Sequence, residues 1–139
     1  SKIVTISDDS GLCIDCLDGK PGIFSARWAK KYGGFNQAML KIIQLIKNKN
    51  KNKKTRNTKA KFVCSLTLYL SLKKKFTTTG EINGNISNKI LGNNGFGYDP
   101  IFVPTGYNLT FGQIGKRKKM LMDHRYIAFK KLKRKINIL

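Results

Sequence analysis

Phe62-Val63-Cys64-Ser65-Leu66-Thr67-Leu68-Tyr69-Leu70-Ser71-Leu72 is apolar and rich in β-forming side chains, and it reads as a largely buried strand. Lys73-Lys74-Lys75 supplies a turn, and Phe76 to Ile86 reads as a second, more polar strand continuing through Gly84-Asn85. Together they form a long hairpin. Upstream, Ile3, Val4 and Ile6 read as a strand running into a turn at Asp8-Asp9. Leu12 to Leu17 reads as another short strand, followed by a Gly/Pro turn from Asp18 to Gly22. Phe35, Met39, Ile42, Ile43 and Ile46 recur at helical spacing and predict one face of an amphipathic helix. The tract 47–61 has Ala60 as its sole apolar residue. Ionic repulsion and lack of burial predict a solvated loop there. Downstream, Ile101-Phe102-Val103 reads as a short strand closed by Pro104. Asp123 is placed to cap a last helix whose apolar stripe is Ile127, Ala128, Leu132, Ile136 and Leu139. Strands interspersed with two or three helices, without an internal repeat, give a single α/β (α+β-like) domain.

The 139 residues are one domain's worth of chain and enough to bury a core. No apolar run approaches the roughly 20 residues of a membrane span, and no charged-then-apolar leader is present, so a cytoplasmic protein is expected. The net charge of +21 attracts polyanions. That charge is spread over several segments without the interleaved aromatics of a stacking platform. Drift in an AT-rich genome, which favours Lys, Asn and Ile codons, accounts for it better than dedicated nucleic-acid binding. Cys13 and Cys16 form a C-x-x-C, but in a strand-like alternation, where residues three apart face opposite sides. A zinc site would need more ligands than Cys64 and His124 provide. Three ordinary reduced thiols are expected.

Two blocks carry chemistry. In Asp8-Asp9-Ser10-Gly11-Leu12, adjacent carboxylates at a strand-to-turn junction can aim near one point. Mg²⁺ takes one or two carboxylates together with phosphate oxygens and water. The same residues also favour a plain turn. In Gly95-Phe96-Gly97-Tyr98-Asp99-Pro100 the glycines allow close backbone approach, Phe96 can stack on a purine, and Asp99 can accept from ligand N–H groups. A core Phe and Tyr flanking a tight turn is the other reading, and Tyr98 fits it too.

Ile6-Ser7-Asp8-Asp9-Ser10-Gly11-Leu12, Pro21 to Arg27, Phe96 to Phe102 and Asp123-His124-Arg125 occur in the order used by the non-canonical purine NTP pyrophosphatases, also called inosine triphosphatases or XTP/dITP diphosphatases. The chain resembles that family along essentially its whole length. The resemblance implies a long, bent mixed sheet with helical lobes flanking a substrate cleft, and a typically homodimeric enzyme. The family reaction converts ITP, dITP or XTP to the monophosphate and pyrophosphate with Mg²⁺. Asp9 matches the family's catalytic acid, proton acceptor and metal ligand, with Asp8 as a second metal ligand and Ser10 touching substrate. Asp9 is expected to deprotonate a metal-polarised water. Phe96, Gly97, Tyr98 and Asp99 match the nucleobase segment. His124 and Arg125 match a Ser-His-Arg triplet, in which Arg donates to the 6-oxo group that adenine lacks. Lys119 aligns with a substrate lysine directed at phosphate.

Several departures stand beside the match. The triplet's Ser is Asp123 here, basic residues replace the acidic ones before Lys119, and Arg27 is assigned a structural role only. The family's Thr-x-Asn-x-x-Lys phosphate loop and a metal-associated Glu are absent. The expectation is a C-terminal two-thirds with little activity alone. Two rivals remain at this point: a basic nucleic-acid-binding protein on the same fold, and an inactive truncated remnant.

Overall fold

A computed structural model describes residues 4–137. Five strands run through Thr5–Ile14 (β1), Lys20–Pro21 (β2), Lys59–Ser71 (β3), Lys74–Ile86 (β4) and Phe102–Pro104 (β5). Four α-helices cover Ser25–Tyr32 (α1), Phe35–Asn50 (α2), Lys116–Met120 (α3) and His124–Asn137 (α4). The sheet has the order β2-β1-β3-β4-β5, and its pairings are antiparallel among the described residues, where a mixed sheet was expected. The β3–β4 hairpin holds the centre, with Phe62 opposite Ile82, Cys64 opposite Gly80 and Leu66 opposite Thr78. Ala60, Phe62, Cys64, Leu66 and Leu68 are buried, all on the face that alternation assigns them.

The N-terminal region differs from the sequence reading. β1 runs unbroken past Asp8 and Asp9, because Thr5 to Ile14 pair residue by residue with Tyr69 back to Ala60. Local turn preference yields to a ten-residue ladder. Leu12 to Ile14 belong to this same strand, and Asp15–Leu17 close it as a 3₁₀ turn. Val4 and Ile6 are exposed; Ile3 lies outside the described residues, as does Leu139 of the predicted last stripe. The consequence is geometric. Asp8 shares a face with Ser10, Leu12 and Ile14, while Asp9 lies on the opposite face with Gly11 and Cys13.

The tract 47–61 is also more ordered than expected. α2 continues to Asn50 and β3 begins at Lys59. Asn50 is buried: its side chain donates to Ile46 O (2.9 Å) and Asn57 O (3.0 Å), and Asn57 N–H donates back at 2.7 Å. That two-way amide clasp orders the ends of the tract, which charge repulsion alone would leave loose. α1 escaped the sequence reading because eight residues carry too short an apolar pattern to register.

The main core gathers Leu12, Ile14, Met39, Ile42, Phe62, Phe102 and Phe111 between the sheet and α2. The rings of Phe62 and Phe102 lie 4.5 Å apart. A second cluster packs Cys64, Leu66 and Leu68 against Ala128 and Leu132 of α4. Each fully buried large apolar side chain contributes about 1.5–3 kcal/mol. α4 starts where predicted: Asp123 accepts from Tyr126 N–H at 2.9 Å, an N-cap bond. Cys13, Cys16 and Cys64 are free thiols.

α4 approaches β4 closely at Gly80. A Cβ there would meet His124 O at 2.2 Å and Ala128 N at 2.4 Å, both backbone atoms. Gly80→Ala therefore pushes the helix off the sheet, an overpacking cost of about 1–3 kcal/mol. Denaturant unfolding beside the unsubstituted chain checks this; an unchanged midpoint would contradict the close approach.

Candidate functional site

Loop 91–99 is fixed from several sides. Leu91 N–H donates to Pro100 O at 2.9 Å and Asn94 N–H to Gly112 O at 2.8 Å. Phe96 N–H donates to Asp99 Oδ2 at 3.0 Å. Gly95 sits at φ +73°, and a Cβ on it would lie 2.1 Å from that same carboxylate oxygen. A side chain is excluded there on both counts.

Ser25 ties the loop to β1 and α1. It accepts from Leu12 N–H at 2.9 Å, donates to Gly22 O at 2.8 Å, and its carbonyl accepts from the Tyr98 hydroxyl at 2.5 Å. Burial raises the Tyr98 phenol to about 12, so it stays a donor. Tyr98 also meets the Phe35 ring edge-on at 5.2 Å. It locks the loop, as the plainer of its two sequence readings held.

These contacts frame a pocket of about 180 Å³ lined by Ser10, Gly11, Leu12, Ser25, Ala26, Phe35, Phe62, Phe96, Gly97, Tyr98, Asp99 and His124. His124 stacks on Phe62 with centroids 4.8 Å apart and planes 16° from parallel. It is 4 % exposed, and its Nδ1 has no hydrogen-bond partner among the described residues. Burial lowers its pKa to about 4, with Asp123 opposing and Lys119 reinforcing that shift. The ring is therefore neutral at neutral pH. Phe96, which lines the pocket, is 60 % exposed. Such a pocket suits a flat, partly polar ring.

Lys119 is buried rather than directed outward. Its ammonium lies 3.1 Å from Asp99 Oδ2 and 3.2 Å from Asp123 Oδ2. It also stands 4.8 Å from the Phe96 ring centroid. The expected phosphate-directed charge is engaged in this triad, and the carboxylate of Asp123 has its cation there. Asp99, 2 % exposed, holds Phe96 and Lys119 rather than presenting a free acceptor. Burial pushes its carboxyl up, with the Phe96 N–H and Lys119 opposing.

Arg125 forms an ion pair with Asp8 through Nε, and its guanidinium lies 5.3 Å from the Phe96 ring centroid. Asp8 Oδ1 accepts from Ser10 Oγ at 2.7 Å and from Cys64 Sγ at 3.4 Å. Burial alone would raise the Asp8 carboxyl, but the Ser10 and Arg125 bonds outweigh it and hold it below the ordinary value. Burial raises the Cys64 thiol to about 11. Asp9 does not join this cluster. It borders a second, wider hollow with Ile23, Lys61, Ser65 and Glu81, which shares Ser10 and Gly11 with the aromatic pocket.

Ser10, Phe96, Gly97, Tyr98, Asp99 and His124 thus share one pocket, with Lys119 and Arg125 above Phe96 and Asp8 behind Arg125. The acidic doublet does not fit one cation as a pair: its carboxylates face opposite sides of β1, and both Asp8 oxygens are engaged. Among the described residues no three His, Cys, Asp or Glu side chains converge as a metal group. Sequence reading missed Ser25, Phe35, Phe62 and Cys64 as site neighbours. Strand alternation placed Phe62 and Cys64 on one face, and Ser25 lay inside a quoted block, but only the fold brings them to the loop.

The Ham1 family model matches residues 1–135. A dITP/XTP pyrophosphatase of Clostridium tetani is 37% identical over 135 residues, covering 97% of this chain and 64% of that protein. One from Methylacidiphilum infernorum is 42% identical over 128 residues, covering 92% and 61%. A solved HAM1 protein from Coxiella burnetii superposes with a TM-score of 0.88 at 27% identity, covering 99% of this chain and 68% of that one. The chain spans about three-fifths of the length of the curated relatives it matches.

His124 is the single histidine, so its imidazole resonances report on the pocket directly. They should titrate near pH 4 rather than at the ordinary 6.5. A depressed folded-state value means that the unfolded chain binds the proton first. The stability from keeping this ring neutral is complete above pH 6.5 and is lost as pH falls through about 4, in total about 3 kcal/mol. A midpoint near 6.5 would show a solvated ring and contradict the buried stack.

Proposed function

The chain belongs to the Ham1 family, and on that premise we propose that the whole protein hydrolyses non-canonical purine nucleoside triphosphates (ITP, dITP and XTP) to the monophosphate and pyrophosphate. One observation carries the reading to this chain's own residues: Phe96 and the neutral His124 line one aromatic-walled pocket, and the Arg125 guanidinium lies over the Phe96 ring. The exposed Phe96 face stacks on the purine. Arg125 donates to the 6-oxo oxygen, where adenine would bring a donor against a donor. His124, neutral and stacked on Phe62, walls the pocket beside the base.

In the reaction, the oxygen of water bonds to the α-phosphorus. The bond from that phosphorus to the bridging oxygen breaks, pyrophosphate leaves with its electron pair, and Asp9 takes the proton of the attacking water. Mg²⁺ belongs to the proposal as the companion of the phosphates, lowering their charge, with Asp9 as the one carboxylate of the doublet offered to it. Assembly as a homodimer and a cytoplasmic setting are further proposals that follow the family resemblance. No helix among the described residues is long and apolar enough to cross a membrane. The names of the relatives support an enzyme of nucleotides and lend nothing to the nucleic-acid-binding alternative.

Incubation of the whole protein with ITP and Mg²⁺ should yield IMP and pyrophosphate, resolved by ion-exchange chromatography. IDP with orthophosphate would refute the proposed bond cleavage. Asp9→Asn should remove most turnover and leave nucleotide affinity nearly intact, and near-full kcat in that variant would move the catalytic centre elsewhere. The 139 residues alone should turn ITP over far more slowly than the whole protein, because phosphoryl chemistry depends on positioned phosphate contacts.

A further inference from the structure

We propose that Asp8 is a positioning residue for purine selection: its carboxylate holds the Arg125 guanidinium over Phe96 at the mouth of the pocket, instead of ligating a cation. This rests on the base reading given above and adds a residue to it. The first ground is the sheet. Asp8 sits mid-ladder opposite Leu66, so its backbone is fixed, and alternation turns its side chain to the Ser10 and Leu12 face, away from that of Asp9. The second ground is engagement of both oxygens: Oδ2 meets Arg125 Nε, and Oδ1 meets the Ser10 hydroxyl and the Cys64 thiol.

The third ground is the position of Arg125 itself. It stands in the first turn of α4, where the helix dipole disfavours a cation. The other carboxylate near it, Asp123, is already engaged, with Oδ1 on Tyr126 N–H and Oδ2 on Lys119. Asp8 is therefore the group that holds the guanidinium in place. Because the ion pair uses Nε, the terminal N–H groups of Arg125 stay available to a base edge.

The test has two arms, each made on the whole protein. In the first, NMR follows arginine Nε–H exchange in the free protein, with Arg125 assigned by its disappearance in Arg125→Ala. Arg125 Nε–H should exchange more slowly than the other arginines, lose that protection in Asp8→Asn, and keep it when Mg²⁺ alone is added. Fast exchange in the unsubstituted chain overturns the proposal, whether or not any variant folds. So does loss of protection on adding Mg²⁺.

In the second arm, IMP and AMP are titrated separately. Asp8→Asn should reduce the preference for IMP about ten-fold, the scale of one charge-assisted hydrogen bond. Arg125→Ala should do the same, and the double variant should be no worse than either. Preference retained in Asp8→Asn, or additive losses, overturns the proposal. An unsubstituted chain that binds IMP and AMP equally while Arg125 stays protected would overturn the base reading and uphold the Asp8–Arg125 placement.

Discussion

The close approach of α4 to β4 at Gly80 is the contact on which the pocket depends. With no Cβ at Gly80, the backbone of His124 and Ala128 settles against the sheet, and Thr78 Oγ1 donates to Ala128 O at 2.8 Å. That seating fixes the helix start against the sheet. Three consecutive residues then reach three different partners: Asp123 meets Lys119, His124 stacks on Phe62, and Arg125 meets Asp8. A helix displaced by one side chain's width would lose the two contacts that cross to the sheet, His124 with Phe62 and Arg125 with Asp8. The apolar contacts of Ala128 and Leu132 with Cys64, Leu66 and Leu68 supply the force that holds the helix down.

The Asp99–Lys119–Asp123 triad joins the loop to the same helix start. A buried ammonium between two buried carboxylates recovers its lost hydration only if the geometry is good, and removing one member leaves an uncompensated charge. This explains how Asp123 is accommodated where the resembling family has Ser. Two carboxylates converge on a single lysine beside two aromatic rings. A charge held this way orders the loop that carries Phe96.

Much of the architecture was legible because strong periodicity agrees with the final fold. The Phe62–Leu72 and Phe76–Ile86 strands, the Met39-Ile42-Ile46 stripe and the Asp123 cap all belong to segments where local preference and tertiary packing point the same way. The acidic doublet was misread for the converse reason. Asp-Asp-Ser-Gly favours a turn in isolation, yet β3 offers a continuous ladder opposite it, and cooperative pairing outweighs a local preference of that size. The burial of Asn50 and Lys119 was invisible to the sequence, because a polar residue inside a Lys/Asn-rich segment carries no sign that a specific partner waits in the fold. The motif blocks located the pocket's members; the partner of each member came from the sheet register.

The distribution of acids bears on how so basic a chain can hold two cations in fixed positions beside one ring. Against 28 Lys and Arg stand seven Asp and Glu, and three of those seven, Asp8, Asp99 and Asp123, are bonded to the two cations nearest Phe96. The surplus cations elsewhere create a diffuse field, which speeds the arrival of a polyanion but cannot orient it. Lys119 and Arg125 are different in kind: each is held by carboxylates at a defined distance from one aromatic ring. Pairing lowers their long-range pull on phosphate and gives them direction in return. Direction is what discrimination between a 6-oxo and a 6-amino purine requires, since the two differ by the polarity of one hydrogen bond and not by charge.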